Sequence, residues 1–431
     1  MQPKPNLQKL GINELNALQQ EVLQTQHLHL HVIAPTGSGK TIAFLLPAIS
    51  LLQTNAHQLQ ALIVVPMREL ALQIAQVFAA MQTGFKYACC YGGHNMQTEI
   101  RSLQQTPDVI IGTPGRLQKH ITSGNINVRF LKILVLDEFD KSLEIGFHDQ
   151  MQNIIQVCNP DAKIILTSAT TLNQMPTFIS AFNWHQIQPQ LTQPDISYYS
   201  AKVMGDDKAE ALLLMLNHFA NQAAIVFCNH RDAAQRLSKF MSMHNIKHSL
   251  YHGKLDQQQR EMEWIQFANG SKRILITTDL ASRGLDIAHV RNIIHYQLPQ
   301  TIETDTHRNG RTARMQAKGN VYYLLDATDT LPGFLNQPIH NFQWPKTMQP
   351  WQQHFWNTVY ISAGKKEGMS KTDVVGALFK KANFQKDEIG LITVFDHYML
   401  VALKINATHK ALEVLNTQKI KNKKIRASLL L

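Results

Sequence analysis

Cysteine is scarce in this 431-residue chain: Cys89, Cys90, Cys158 and Cys228, with no CxxC pair and no metal-ligand spacing. That argues against a disulfide framework or a zinc module and fits reduced thiols in a cytosolic compartment. Long apolar runs are missing as well. The opening stretch MQPKPNLQKLG lacks the hydrophobic segment of a secretion signal, and no run approaches the roughly 18 apolar residues of a membrane span. A soluble, cytoplasmic, monomeric chain without membrane association is expected. Acidic residues are the minority charge, 31 Asp and Glu against 42 Lys and Arg, for a formal charge of +11. That excess suggests a polyanionic partner, most simply nucleic acid.

What is present is a repeated pattern. The length and 44% hydrophobic content accommodate about two to three domains with real cores. Strands are read at LHVIAP, ALIVVP, DVIIGT, ILVLDE and IILTSAT, with helix-type apolar spacing between them, as over Glu69 to Met81. This alternation predicts a parallel sheet with helices on both faces. The polar passage QPQLTQPD, Gln188 to Asp195, reads as a linker. The pattern then restarts at AAIVFCN, HSLYHG, RILITTD, VRNIIHYQLP and NVYYLL. A Pro-containing, aromatic passage over 336–356 reads as a second linker that docks Trp and Phe side chains on a neighbouring domain. The resulting division is 1–192, 196–335, the linker 336–356, and 357–431.

The last segment differs in kind. Its order of β at NTVYISAG, α at SKTDVVGALFKKA, β at IGLITVFD, β at YMLVALKI, α at THKALEVLN and β at KKIRASLL matches a split βαββαβ domain of the RNA-recognition-motif type. From Asn357 onward there are thirteen Lys and Arg against six Asp and Glu. Most of the excess positive charge therefore sits here, which strengthens the case for nucleic acid.

The chemistry-bearing residues lie on strand ends. APTGSGKT, comprising Ala34, Pro35, Thr36, Gly37, Ser38, Gly39, Lys40 and Thr41, follows a strand and opens a helical run. This is the context of a phosphate-binding loop, in which backbone N–H groups and the helix N-terminus cradle phosphate oxygens. Lys40 would reach the β- and γ-phosphates and Thr41 would ligate Mg²⁺. The strict pattern has Gly where Ala34 stands. About 100 residues on, KILVLDEFDK delivers carboxylates to the end of a buried strand. Asp137 is placed to hold Mg²⁺ opposite Thr41, and Glu138 to orient or deprotonate the attacking water.

With these motifs the chain resembles the DEAD-box RNA helicases, over nearly its whole length. GINELNALQ resembles the family's Q motif, with Gln19 the adenine-reading candidate. PMREL with Arg68, the pair Gly92-Gly93, and TPGR from Thr113 to Arg116 resemble RNA-backbone motifs of a first RecA-like domain. SAT, with Ser168 and Thr170, resembles the motif coupling hydrolysis to unwinding, and Asp140 reads as a link toward it while Phe139 packs. In the second domain, IVFCN, YHGKLDQQQR with Gly253, and TTDLASRGLDI with Thr278 match further motifs, and Asp286 stands at the ribose-contacting position. HRNGRTAR supplies His307 for coupling and Arg311 and Arg314 where the family has arginine fingers. An Arg from a second domain makes hydrolysis depend on closure, which RNA bound across both domains favours.

The chain departs from the family pattern at Leu15-Asn16 in the Q motif, at Met67 in PMREL and at Asn309 in motif VI. The C-terminal text VYISAGKKEGMSKTDVVGALF resembles the DbpA/YxiN group, which implies a domain that binds structured large-subunit ribosomal RNA during ribosome assembly. Tyr360 and Tyr398 stand where such domains stack bases, whereas Leu400 and Leu403 replace aromatics. Lys365, Lys366 and the stretch Lys419 to Arg426 form the cationic alternative. The resemblance implies an ATP- and Mg²⁺-dependent RNA helicase acting on structured RNA, with a pre-ribosomal particle as a candidate partner. An ATP-gated RNA clamp and a DNA-directed helicase of the same superfamily are the alternatives.

Overall fold

The computed structural model describes residues 5–430, apart from positions 36, 94, 173, 190–194, 204, 206, 280–289, 314–317, 349–350 and 352–354 and the side chains of 381–382. The described chain forms two compact units, one before and one after 190–194.

In the first unit, seven short strands build one parallel sheet: β1 (His29–Ile33), β2 (Ala61–Val64), β3 (Tyr87–Cys90), β4 (Val109–Gly112), β5 (Ile133–Leu136), β6 (Lys163–Ser168) and β7 (Trp184–Ile187), in the order β3-β4-β2-β5-β6-β1-β7. Strands β2, β4 and β5 are buried at every position. Parallel strands covered by helices on both faces show this continuous apolar pattern rather than an alternating one. Two apolar clusters lie on opposite faces of the sheet, one around Phe44, Ile63 and Val135 and the other around Leu62, Leu134 and Phe139. The expected strands are all present. β3 and β7 were not anticipated, and each is an edge strand with partly exposed positions.

The second unit holds two sheets. The first is parallel: β8 (Ile196–Lys202), β9 (Ala224–Cys228), β10 (Ser249–Tyr251), β11 (Ile274–Thr278), β12 (Asn292–His295), β13 (Gly319–Leu325) and β14 (Ile339–Asn341), ordered β10-β11-β9-β12-β13-β8-β14. β14 falls in the segment read as a linker and pairs with β8. Behind it Phe342 packs edge-on to Tyr322, and Trp344 donates its ring N–H to the Lys202 carbonyl at 2.8 Å. That passage thus docks aromatics as expected and also extends the sheet.

The second sheet is antiparallel: β15 (Trp356–Ile361), β16 (Ile389–Val394), β17 (Met399–Lys404) and β18 (Ala427–Leu430), ordered β16-β17-β15-β18. Helices Lys371–Ala382 and Ile405–Thr417 cover one face of it, over a core that includes Val359, Val374, Leu378, Val401 and Leu415. Among the described residues no helix is long and apolar enough to cross a membrane.

Candidate active site

Strand β1 runs into the loop that opens helix Lys40–Leu51. Gly37 and Gly39 take φ of 82° and 88°, a region that glycine enters without steric cost. A Cβ on Gly39 would lie 2.5 Å from the Gln19 side-chain nitrogen, so a side chain there would push Gln19 from its place on the loop as well as strain the positive φ. Asn16 caps that helix: its side chain accepts from the Gln19 N–H at 2.9 Å and donates to the Ser38 carbonyl at 2.9 Å. Its substitution into the Q motif therefore keeps both a cap and a strut to the loop. Gln19 is buried, accepts from the Asn16 N–H at 3.1 Å and donates to the Gly39 carbonyl at 3.4 Å. Lys40 is buried and its ammonium group donates to the carbonyls of Ala34 and, at 3.1 Å, Pro35. Thr41 follows on the first turn of the same helix. Thr36 lies outside the described residues.

β6 lies between the loop strand β1 and the acid-bearing β5, and it carries the connection. Thr167 donates to Asp137 Oδ1 at 2.5 Å and accepts from the Glu138 N–H at 3.2 Å. Burial raises the pKa of Asp137, opposed by the Thr167 hydrogen bond, the Lys40 charge and the Glu138 amide. Glu138 has φ 45° and ψ 51°, a left-handed conformation that costs a non-glycine residue about 1–2 kcal/mol. It ends the strand and starts the helix Phe139–Glu144 within one residue. Strain of this kind is commonly found where function requires it. Phe139 is fully buried and packs edge-on to Phe178, as its place between the acids implied.

Asp140 reaches the SAT segment. Its carboxylate accepts from the Ala169 N–H at 3.3 Å and the Lys141 N–H at 3.0 Å. Ser168 Oγ donates to the Thr170 carbonyl at 2.7 Å and contacts His31 Nε2 at 3.0 Å. Burial lowers the pKa of His31 to about 4, so its ring is neutral and the Nε2 proton can donate to Ser168. Neither His31 nor Thr167 belongs to a motif that would single it out in the sequence.

The backbone-motif residues of the first unit gather around one turn. The Arg68 guanidinium lies 4.8 Å from the centre of the Tyr91 ring, directly before Gly92 and Gly93. Gly93 has φ 95°, and Thr113 caps the helix Pro114–Thr122 that carries Arg116. Met67 caps helix Arg68–Ala80 without a side-chain hydrogen bond and packs on the core.

In the second unit, motif VI is anchored by Arg308, which sequence reading passed over. Its guanidinium forks onto Asp279 at 2.5 and 2.7 Å and also donates to Asn229 and to the Gln297 carbonyl. Asn309 finds its purpose here: it accepts from His295 at 2.9 Å and donates to Asp305 at 2.8 Å, and Asp305 also accepts from the Tyr323 hydroxyl. His295 is held neutral by burial and by Arg308, leaving Nδ1 to accept from that guanidinium at 3.2 Å. Arg311 and His307 are buried in the same helix and its C-terminal turn. Thr278 is buried at the end of β11, and Gly253 is exposed. Arg314 and Asp286 lie outside the described residues.

On the antiparallel sheet, Tyr360 stacks on Tyr398 with ring centres 5.5 Å apart, and Tyr398 stacks on Phe395. This face does not stand open. It packs on helix Gln257–Ala268 through Met262, Trp264 and Ile265, and the Tyr398 hydroxyl donates to Glu261 at 2.9 Å. Asn269 and Ser271 bond the Thr358 hydroxyl alongside. Lys365 and Lys366 are exposed elsewhere, and Lys423 ties their loop to the C-terminal lysine stretch by donating to the Glu367 carbonyl at 2.5 Å. The two cationic segments are one surface.

Residues 16–177 match the DEAD/DEAH box helicase family, 207–316 the helicase conserved C-terminal domain, and 358–429 the DbpA RNA binding domain. ATP-dependent RNA helicase DbpA of Escherichia coli is 30% identical over 99% of this chain and 98% of its own. The chain belongs to the DEAD-box ATP-dependent RNA helicase family. RhpA of Helicobacter pylori, a DEAD-box ATP-dependent RNA helicase, is 35% identical over 68% of this helicase, a match that spans 61% of RhpA. Among solved structures, Saccharomyces cerevisiae Dbp5 bound to RNA and ADP BeF3 superposes with a TM-score of 0.68 at 22% identity, covering 78% of this helicase and 92% of that chain. Mss116p bound to ssRNA and AMP-PNP gives 0.65 at 23% identity, covering 79% and 77%. These likenesses establish the fold of the helicase core.

Proposed function

We propose that this helicase hydrolyses ATP with Mg²⁺ to bind and locally unwind or remodel structured RNA, with large-subunit ribosomal RNA in an assembling particle as its target. The observation that carries the reading is what gathers at the strand ends of the first unit: the Lys40 charge acting on Asp137, Thr167 bonded to Asp137, and Asp140 bonded to the SAT segment. Thr41 and Asp137 offer hydroxyl and carboxylate oxygens, the donor set of a hard cation such as Mg²⁺. Mg²⁺ bound with ATP would neutralise charge on the phosphates. Lys40 holds the β- and γ-phosphates, Glu138 orients or deprotonates the attacking water, and Arg311 and Arg314 stabilise charge on the transferred group. Gln19 and Asp286 are assigned to adenine and ribose. Asp140, Ser168, Thr170 and His307 couple nucleotide state to RNA.

Arg68, Gly93, Thr113, Arg116, Gly253 and Thr278 are assigned to the RNA backbone. In the C-terminal domain, Lys365 and Lys366 with the Lys419–Arg426 stretch are the RNA surface. Tyr360 contributes mainly by packing, because its sheet face meets helix Gln257–Ala268. The domain holds the core near a structured RNA and raises the effective concentration of adjacent duplexes. The end-to-end relation to DbpA and the matching RNA-binding domain support an RNA target, and the ribosomal identity is carried by the resemblance of the C-terminal text to the DbpA/YxiN group.

The test is ATP hydrolysis by the full chain with RNA or DNA of equal length, alongside displacement of a short strand next to structured RNA. Equal stimulation by DNA would overturn the RNA reading. ATP-dependent retention on RNA without strand displacement would make the protein a clamp. Crosslinking to total RNA should recover large-subunit ribosomal segments.

A further inference from the structure

We propose that Glu99 is a positioning residue for RNA binding, a single carboxylate that sets the spacing of the first unit's backbone-contacting segments. The inference rests on the assignment of Arg68, Gly93 and Arg116 to RNA. Glu99 lies on helix Met96–Leu103, in no motif, and is 2% exposed. One oxygen accepts from the Tyr91 N–H at 2.9 Å, directly before the Gly92-Gly93 turn. The other accepts from Arg116 Nη1 at 2.9 Å and His120 Nε2 at 2.7 Å, both on helix Pro114–Thr122. Tyr91 carries the connection further, because the Arg68 guanidinium rests on its ring. The Gly92-Gly93 turn and helix Pro114–Thr122 therefore meet on one buried carboxylate, and Arg68 joins them through the Tyr91 ring.

The physical logic is that of a satisfied charge. A buried carboxylate is tolerated only with strong donors, and here a backbone amide, a guanidinium and an imidazole converge on it. Each donor belongs to a segment that must hold its register against a phosphate backbone. Phosphates in one RNA strand are regularly spaced, so a shift of Tyr91 relative to Arg116 would mismatch them.

Cys90 is also close, and the donor atoms of Cys90, Glu99 and His120 all lie within 4.8 Å of one another. That donor set would also suit zinc. Arg116 on the same carboxylate oxygen, and burial that pushes the Cys90 thiol up to about 12, favour the metal-free network.

The experiment uses the full chain and measures RNA-stimulated ATP hydrolysis against RNA concentration, thermal stability and zinc content. Glu99→Gln should raise the KM for RNA about tenfold, the scale of one lost charge-assisted hydrogen bond, with a smaller effect on kcat. His120→Leu should shift KM in the same direction, and His120→Gln, which keeps an N–H donor, should restore it. Arg116→Ala should raise KM, and its effect should not add to that of Glu99→Gln. The inference falls if Glu99→Gln lowers thermal stability without moving the KM for RNA. It also falls if stoichiometric zinc is found. If Arg116→Ala leaves KM unchanged, the RNA assignment beneath it fails first.

Discussion

Thr167 donates its hydroxyl proton to Asp137 Oδ1 at 2.5 Å, so a residue of β6 orients the carboxylate carried by β5. Hydrogen bonds to charged groups contribute about 1.5–3 kcal/mol. Thr167→Val should lower kcat for ATP hydrolysis about tenfold or more. It also removes an interaction that opposes the burial-driven rise in the pKa of Asp137. The acid limb of the pH–rate profile should therefore move to higher pH, and half-maximal activity should need more Mg²⁺. An unchanged profile would exclude this coupling.

Glu138 is assigned to the water and not to nucleotide binding. Glu138→Gln preserves shape and the left-handed turn but removes the base. Turnover should fall by at least about 100-fold while ATP affinity stays within a few-fold. Single-turnover hydrolysis and nucleotide titration on the same sample separate these outcomes.

Arg308 forks onto Asp279 inside the second unit. Replacing it by Met keeps volume but removes the bidentate guanidinium from a carboxylate whose side chain is only 26% exposed. The expected cost is about 3 kcal/mol, visible as a lower urea midpoint for the second unit.

His295 is buried and its pKa lies well below the ordinary value of 6.5, with desolvation the first cause and the Arg308 charge the second. A depressed folded-state pKa adds stability above the unfolded value that is lost as pH falls. The second unit should therefore lose up to about 1.4 kcal/mol per pH unit below pH 6.5. His295→Gln should flatten that slope in denaturant melts at pH 5 to 7.

Tyr398 seals the sheet face against helix Gln257–Ala268. Tyr398→Ala should loosen the C-terminal domain from the second parallel sheet, read as faster independent tumbling by NMR relaxation. RNA affinity should change less than on neutralising Lys365 and Lys366, which should also reduce its salt dependence.

Local sequence determined most of the architecture and the inventory of the candidate nucleotide site. Runs such as ILVL and AIVFC can only be satisfied as strands buried on both faces, and TGSGKT before a helical run is the local grammar of a phosphate loop. Edge strands β3, β7 and β14, and β8 beside β14, escaped because partly exposed positions blur the apolar pattern. Tertiary structure alone decided the partners. Thr167 for Asp137, Glu99 for Arg116, and Asn309 between His295 and Asp305 join residues whose pairing leaves no periodic trace. The same holds for the sheet face of the C-terminal domain: its tyrosines read as places for bases, and the fold packs that face on helix Gln257–Ala268. Burial creates these relationships, because polar groups removed from water must find donors and acceptors wherever the folded chain brings them.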